Sequence, residues 1–305
     1  MGSWLRLLFA VASLSLCSML QADELYRYTP SDVYTEALRI KGDINIIRSH
    51  FNAATVENPL PVKTSLKPRN AWQKAYEIMV KINILREKYG LPRMEEVQVE
   101  PLTNLDPGLT HGQVLRILTE LDIFMIRIGI SSRTPKAKQQ AKKTPADVYN
   151  LLNVISTQLD AINGESFVPS HVFAQTMRVL DDLNLIIARL NVYERIGPPK
   201  KDTNAQPQDV YQIALELMDE IHRLQMIASV EPVDFRLFKV GTVTPADVFD
   251  LTQMLLAEIQ PIKAYLRISR VTIPSQNYRG KTPGDAKQAL EWGIRISSRI
   301  QSLDY

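Results

Sequence analysis

The chain has 305 residues, with 36 basic and 33 acidic side chains and a formal net charge of +3 at pH 7. This near-neutral balance argues against a nucleic-acid-binding protein and favours no other charged partner. The length is enough for one large core or two smaller ones, and the regular apolar pattern with only 12 glycines argues against extended disorder.

The first residues are typical of a signal peptide. Arg6 precedes an apolar run over residues 7–20, which is shorter than the about 20 residues that a membrane-spanning helix needs. Ala22 and the acidic residue after it mark a cleavage site, so we expect residues 1–22 to be removed and the mature protein to be periplasmic or secreted. A retained membrane anchor is the alternative, because Leu20 is larger than the residue preferred three positions before the cut.

Cleavage would also remove the single cysteine, Cys17. The mature chain would then have no disulfide, no thiolate metal ligand and no thiol nucleophile, so its stability would come from packing. A lipid-modified Cys17 is a weaker hypothesis, because Leu16 stands where such motifs have a small residue.

A short motif recurs eight times along the chain. Its closest copies lie at 29–34, 144–149, 206–211, 244–249 and 282–285, and looser copies begin at Pro68, His111 and Pro169. Threonine as the N-cap, proline at the first helical position and an acidic residue in the first turn are typical of a helix start. We therefore interpret the shared aspartates as capping residues rather than as an array of catalytic carboxylates: Asp32, Asp147, Asp209, Asp247 and Asp285.

An apolar stripe with alternating steps of four and three residues follows each motif. In the first half, the predicted helices run from Pro30 to about residue 51 and from Pro68 to about residue 89, and two further stripes begin at Val114 and Val148. A mean step of 3.5 residues is typical of left-handed bundle packing.

The second half repeats the pattern, with stripes that begin at Val172, Val210, Val248 and Ala286. Pro261 predicts a kink or an early end in the seventh helix. The eighth stripe is the least regular, as terminal repeats often are. The prediction is an all-α protein of eight helices, in which residues 235–243 are the single candidate strand.

The spacing of the repeat indicates how the helices are organised. Pro30 and Pro68 are 38 residues apart, and so are the prolines at 169, 207, 245 and 283. Helices of about 22 residues leave linkers of about 16, long enough to run back along a helix and make neighbours parallel, or to fold as caps between antiparallel ones. Only the passage 163–168 is short enough to require an antiparallel turn. We expect two duplicated four-helix units, 23–166 and 167–305, with a single eight-helix array as the alternative.

Motifs for catalysis are missing from the sequence. It has no glycine-rich phosphate loop and no nucleophile elbow. Of the four histidines, His111 and His171 occupy cap positions, and only Asp219 with His222 has a metal-motif spacing. A carboxylate-bridged di-metal bundle needs two such pairs and further glutamates. The sequence therefore predicts no catalytic residue, no cofactor and no metal, and the hypothesis of a hydrolase or metal enzyme depends on Asp219 and His222 alone.

Two features are candidates for binding. Six helices carry a ring directly after the first stripe residue, and these rings either line a pocket for an apolar ligand or seal the ends of the core: Tyr34, Trp72, Tyr149, Phe173, Tyr211 and Phe249. The linker before the fourth helix is basic and without an acid, and it either contacts an anionic partner or is simply solvated: Arg133, Lys136, Lys138, Lys142 and Lys143.

These observations favour an exported, non-catalytic helical-bundle protein. We expect it to act as an interaction scaffold or accessory subunit that binds another envelope protein or a receptor domain. The alternative is a periplasmic sensor or carrier of a small ligand, a hypothesis that depends on fold analogy.

Overall fold

The computed structural model describes residues 28–62, 66–94, 107–164, 167–192, 196–233 and 242–303. These residues form eight helices and no strand, which confirms the all-α prediction and the repeat of about 38 residues. The predicted signal peptide and nearly all of the candidate strand at 235–243 lie outside the described residues. The helices are α1 (Pro30–His50), α2 (Pro68–Lys88), α3 (Pro107–Arg127), α4 (Pro145–Asn163), α5 (Pro169–Arg189), α6 (Pro207–Ile227), α7 (Pro245–Tyr265) and α8 (Pro283–Ser297).

Every helix begins at a proline, and this corrects the predicted start of the third. The sequence predicts that α3 begins at the motif of His111, but the helix begins one turn earlier, at Pro107. His111 is therefore not a cap. It occupies the position that carries a ring in six other helices, and its imidazole stacks on Tyr28 with 3.9 Å between ring centroids. Residues 107–110 resemble the other helix starts only weakly, so the sequence did not indicate that α3 begins at Pro107.

The first-turn aspartates are caps, as predicted. In α1, Asp32 Oδ2 accepts hydrogen bonds from the backbone N–H and the hydroxyl of Thr29, each at 2.7 Å. The same backbone bond forms at the starts of α4, α6, α7 and α8. Asn70 and His171 accept the equivalent bond in α2 and α5, at 2.8 and 3.2 Å. An acceptor in the third helical position is thus the shared device, and its chemical identity varies.

The predicted stripes form the core. Ile40, Ile44 and Ile47 in α1 are fully buried, and the equivalent residues of the other helices are buried as well. Each such side chain contributes about 1.5–3 kcal/mol through removal from water. Pro261 does not shorten α7, because the helix continues to Tyr265 and ends at the same repeat position as α1, α2 and α6. The expectation of an early end was therefore wrong.

The helices pack in two groups of four. In the first bundle α1 and α2 each contact α3 and α4, and in the second α5 and α6 each contact α7 and α8. The first prolines of α1–α4 line one small depression, and those of α5–α8 line another. All four helices of a bundle therefore start at the same end and run parallel. This settles the choice between parallel and antiparallel neighbours within each unit.

Long linkers make the parallel arrangement possible by running back along the helices. After α3, the backbone N–H groups of Thr134, Gln140 and Lys143 donate in turn to Asp43, Thr35 and Ser31 of α1. The linker after α7 follows α5 in the same way: Ile273 O accepts from Arg178 at 2.8 Å, and the Lys281 N–H donates to Ser170 at 3.1 Å.

The two bundles meet where α2 packs against α7. Arg69, near the start of α2, contacts Glu258 in the second half of α7, while Lys74 contacts Asp250 in the first half. The two helices are therefore antiparallel. Because α2 has neighbours on both sides, nearly every residue from Arg69 to Arg86 is buried.

Candidate functional site

A cleft opens between the two bundles beside the α2–α7 contact. We call it the inter-bundle cleft, and its volume is about 280 Å³. The segment after α1 forms one wall, α4 forms another, and the starts of α6 and α7 close the third side. The lining residues are Pro59, Leu60 and Val62 from the segment, Tyr149, Asn153 and Thr157 from α4, Tyr211 from α6, and Asp247, Asp250 and Leu251 from α7.

Local structure holds the first wall in place. Asn150 of α4 pairs with the backbone of Val62, accepting from its N–H at 2.8 Å and donating to its carbonyl at 3.1 Å. This two-point contact keeps an irregular segment against a helix. Leu60, two residues away, is 90% exposed although it is apolar. The wall is thus anchored at one end and presents an exposed side chain at the other.

Buried charges stand behind the cleft. The Lys74 ammonium contacts Glu77 at 2.8 Å and also pairs with Asp250, whose side chain is 23% exposed. Glu77 accepts from Ser156 of α4 and lies 3.2 Å from the Lys81 ammonium. Lys81 also contacts Asp160 at 2.6 Å. The cluster therefore joins α2, α4 and α7, and Asp250 is its member that reaches the cleft.

The two carboxyl groups of this cluster differ in acidity. Burial alone would raise the pKa of Glu77, but the ammonium groups of Lys74 and Lys81 lower it to about 2. Burial raises the pKa of Asp250 to about 6. The Lys74 ammonium opposes this rise, and the charge of the neighbouring Glu77 adds to it. Burial would lower the pKa of Lys74, yet Asp250 and Glu77 raise it well above its usual value. Lys74 is therefore charged at neutral pH, whereas Asp250, with its pKa of about 6, titrates close to neutral pH.

Two of the six predicted rings meet in the cleft. Tyr149 is fully buried, and the Lys74 ammonium lies over its ring, 5.2 Å from the ring centroid. Burial, followed by the charge of Asp250, raises its pKa well above the usual value. Burial and the nearby carboxylates of Asp250 and Asp247 raise the pKa of Tyr211 to about 12. Both tyrosines are therefore neutral phenols at the edge of an acidic site.

The other four rings lie elsewhere. Tyr34 and Phe173 each pack under a lysine of the returning linker, with 4.5 Å from Lys143 Nζ and Lys281 Nζ to the ring centroids. Trp72 stacks on Tyr76 within α2, and Phe249 stacks on Phe167 at 3.8 Å between centroids. The structure therefore does not gather the six rings into one pocket.

The basic linker lies along α1, away from the cleft. Arg133 pairs with Asp122 and donates to the carbonyl of Ile130, and Lys143 covers Tyr34. Lys136, Lys138 and Lys142 are exposed. Contact of these three residues with an anionic partner stays a prediction.

The described residues contain no group of three or more histidine, cysteine or acidic side chains that could hold a metal ion. Asp219 and His222 lie on α6, where Asp219 is exposed and His222 is half-buried. Within the same ranges, none of the helices has the length and apolar content needed to cross a bilayer.

Sequence reasoning missed Lys74, Glu77 and Asp250. On a helical wheel, charged residues at 74, 77 and 81 form a face about 90° away from the apolar stripe, and a charged face beside a stripe is typical of a solvated surface. The pattern carries no sign that a second bundle covers that face. Asp247 was identified, but only as a cap.

Comparisons with known proteins give no information about the function of this chain. No protein-family model matches the chain, and neither the curated proteins nor the solved structures show a significant similarity to it.

Proposed function

We propose that this chain is an exported, non-catalytic binding protein that takes up a small ligand in the inter-bundle cleft. The observation that carries the proposal is the cleft itself, where open space, two tyrosines and two carboxylates meet between the bundles. Clefts between packed units that combine apolar surface with a few polar groups are the usual ligand sites of proteins. A perturbed carboxyl pKa in such a place further supports a functional role.

The charges near the cleft favour binding over catalysis. A lysine acts as a nucleophile or a base through its neutral amine. Lys74 is kept in the ammonium form by Asp250 and Glu77, so its lone pair is not available at neutral pH. Glu77 is a stable carboxylate with two ammonium groups beside it. The cluster thus supports a preorganised electrostatic environment for a bound ligand.

Native mass spectrometry tests this proposal on the mature protein, purified gently from the extracytoplasmic fraction of its host. We expect an additional small mass that disappears on denaturation. Tyr211→Ala should reduce the fraction that carries this mass. Phe173→Ala is the matched control, since Phe173 occupies the same repeat position but packs against Lys281 and Tyr278. A bare wild-type chain, or equal loss in both variants, would contradict the proposal.

Export is the second part of the proposal, and it is supported by the apolar run at 7–20 and by Ala22. Cell fractionation should find the protein outside the cytoplasm, and its intact mass should correspond to a chain that begins at Asp23. A cytoplasmic full-length chain would contradict export and leave the cleft proposal standing.

A protein-interaction scaffold is a second candidate function, and the surface of α3 favours it. Leu109, Leu115, Ile123 and Ile126 are apolar and exposed, with Ile126 at 70%. Clustered exposed apolar side chains are typical of protein-binding surfaces. The double change Leu115→Lys with Ile126→Lys should abolish crosslinking to a partner in cells, whereas Met226→Lys, at an exposed position on α6, should not. Unchanged crosslinking would count against this surface.

A further inference from the structure

We propose that the inter-bundle cleft selects a small organic cation, an amine with an apolar arm, and that Asp247, Asp250 and the Tyr211 ring recognise it. The inference rests on the proposed function and names the chemical class of the ligand. It combines the charge of the lining, the placement of the rings and the shape of the cleft.

The charged residues that line the cleft are all acidic. Asp247 and Asp250 contribute carboxylates, and none of the lining residues is a lysine, an arginine or a histidine. The Lys74 ammonium, which pairs with Asp250, lies behind this carboxylate, and its side chain is only 1% exposed. Lys74 is shared between Asp250 and Glu77, so it does not present a positive charge to the cleft. An anionic ligand would meet two like charges there, whereas a cation would meet two opposite charges.

The raised pKa of Asp250 also favours a cationic ligand. Its pKa of about 6 follows from burial and from the charge of Glu77, despite the contact with Lys74. The contact with Lys74, which is shared with Glu77, therefore does not restore the ordinary pKa of Asp250. A second cation placed in the cleft would favour the ionised form of Asp250, and by linkage ionised Asp250 would favour the cation.

The rings and the rim suit an amine with an apolar portion. The faces of tyrosine rings attract cations electrostatically, and the attraction is larger at partly desolvated sites. Tyr211 is the ring available for this contact, because the Lys74 ammonium already lies over the Tyr149 ring, 5.2 Å from its centroid. Pro59, Leu60 and Leu251 provide apolar surface at the same cleft, and a ligand would cover the exposed Leu60.

The volume favours a small molecule over a chain segment. At about 280 Å³ the cleft is near the lower end of ligand pockets, which span about 300–1,000 Å³. A basic side chain of a partner protein is the competing occupant. It would need further contacts on the rim, where Leu60 is exposed.

Isothermal titration calorimetry of the mature chain tests the inference with three probes that share one aromatic arm. Phenethylamine carries an ammonium group, 2-phenylethanol is its neutral counterpart, and 3-phenylpropionate carries a carboxylate. We expect the amine to bind and the alcohol and the acid to bind at least about tenfold more weakly, since a hydrogen bond to a charged group is stronger than one between neutral groups.

Two matched variants locate the amine. Asp247→Asn should weaken its binding by about tenfold, since the charge is lost while an amide oxygen can still cap the helix. Asn70 already accepts the equivalent cap bond in α2. Asp147→Asn is the control, because Asp147 caps α4 through the same pair of bonds to its threonine but is not among the lining residues. This control should bind the amine as the wild type does.

Each remaining outcome overturns the inference in a recognisable way. Equal binding of all three probes, weakened by Tyr211→Ala, would mean that the cleft takes ligands without selecting cations, and the proposed function would stand. Binding of a lysine-rich peptide without binding of phenethylamine would assign the cleft to a partner protein. If no probe binds while the chain from its host carries a small mass, the ligand is not an amine of this kind. If that mass is missing too, the proposed function fails with the inference.

Discussion

At the scale of single residues, this protein buries an unusual number of charges and pairs them closely. Glu258 is fully buried and accepts hydrogen bonds from Arg69, Asn70 and Gln225 at 2.7–2.9 Å. Lys263, also fully buried, contacts Asp182 at 2.6 Å, and Asp182 accepts from Thr272 at 2.6 Å. A buried charge is tolerated only when such partners replace its hydration. Asp250 differs from Glu258 and Lys263 in that it borders the inter-bundle cleft.

The pH dependence of stability should reveal Asp250. Its pKa is about 6 in the folded protein against an ordinary value of 3.8. The folded state therefore binds this proton more tightly than the unfolded chain. Stability from this group is present below pH 3.8 and is lost as the pH rises through 6. Acidification from pH 7 to 5 should raise the free energy of unfolding by about 1 kcal/mol through Asp250.

Urea unfolding at the two pH values measures this effect, with Asp250→Asn as the variant that lacks it. The groups that face Asp250 are Lys74 and Glu77 of α2, Tyr149 of α4 and Tyr211 of α6. Neither tyrosine titrates in this range, and Glu77 loses its stabilising charge only as the pH falls below 4.5 towards 2. An equal pH response in wild type and variant would show that Asp250 has an ordinary pKa.

At the scale of elements, the caps and the linkers explain how parallel helices pack together. Four parallel helices bring four positive dipole ends to the same face of a bundle, where they repel one another. Acidic residues in the first turn offset this: Asp32 and Asp147 in the first bundle, and Asp209, Asp247 and Asp285 in the second. The repeated motif therefore serves the association of the helices as well as the start of each one.

Loss of one cap should have a moderate and local effect. Asp147→Ala removes the acceptor for the backbone N–H and the hydroxyl of Thr144. We expect the free energy of unfolding to fall by about 0.5–2 kcal/mol in chemical denaturation. Asp219→Ala, at an exposed position within α6, should change it by less than about 0.5 kcal/mol. Equal effects of the two changes would argue against the capping role.

Glycine positions test the contact between linkers and helices. A Cβ atom on Gly284 of α8 would lie 2.0 Å from the backbone oxygen of Asp202 in the linker after α5, whereas one on Gly112 of α3 would have no neighbour within 4 Å. Gly284→Ala should therefore destabilise the protein by about 1–3 kcal/mol, as overpacking does. Gly112→Ala should stabilise it by about 0.5–1 kcal/mol, because alanine favours a helix interior. Thermal unfolding distinguishes the two signs, and a neutral Gly284→Ala would show that the linker is not held against α8.

At the scale of the whole molecule, the contact between α2 and α7 joins the bundles through charges. The Arg69 guanidinium forms two bonds to the Glu258 carboxylate, from Nε at 3.2 Å and from Nη2 at 2.7 Å. Both side chains are almost completely buried. The net contribution of such a pair is small, but removal of one partner leaves an uncompensated charge in the interior.

A double-mutant cycle measures this coupling between the bundles. Arg69→Met should lower the free energy of unfolding by about 3–5 kcal/mol. The double variant Arg69→Met with Glu258→Gln should be more stable than Arg69→Met alone, because the buried charge leaves with its partner. Additive effects of the two single changes would mean that the charges do not interact across the interface.

Much of the architecture could be predicted from the sequence. The stripe steps of four and three predicted eight helices and their buried residues, because helix geometry alone determines which side chains share a face. The proline spacing predicted a duplicated unit. The predicted start of α3 is one turn late, because a proline followed by Gly108 and Leu109 lacks the capping acid. The early end predicted from Pro261 does not occur, since α7 continues to Tyr265.

The site was less accessible to sequence reasoning. Tyr149 and Tyr211 were among the candidates, but so were four rings that the structure places elsewhere. Asp250 and Lys74 were not considered, since they are 176 positions apart and interact only through the contact between the bundles.

The sequence by itself determined the helices, their caps and the faces that form each core, because these depend on interactions between residues a few positions apart. The tertiary structure alone decided that neighbours are parallel, that linkers return along α1 and α5, and that α2 lies against a second bundle. Those outcomes depend on which surfaces meet, and a charged helical face has the same pattern whether water or another charged face covers it. The inter-bundle cleft belongs to this second group, since its walls come from segments that only the packing of the bundles brings together.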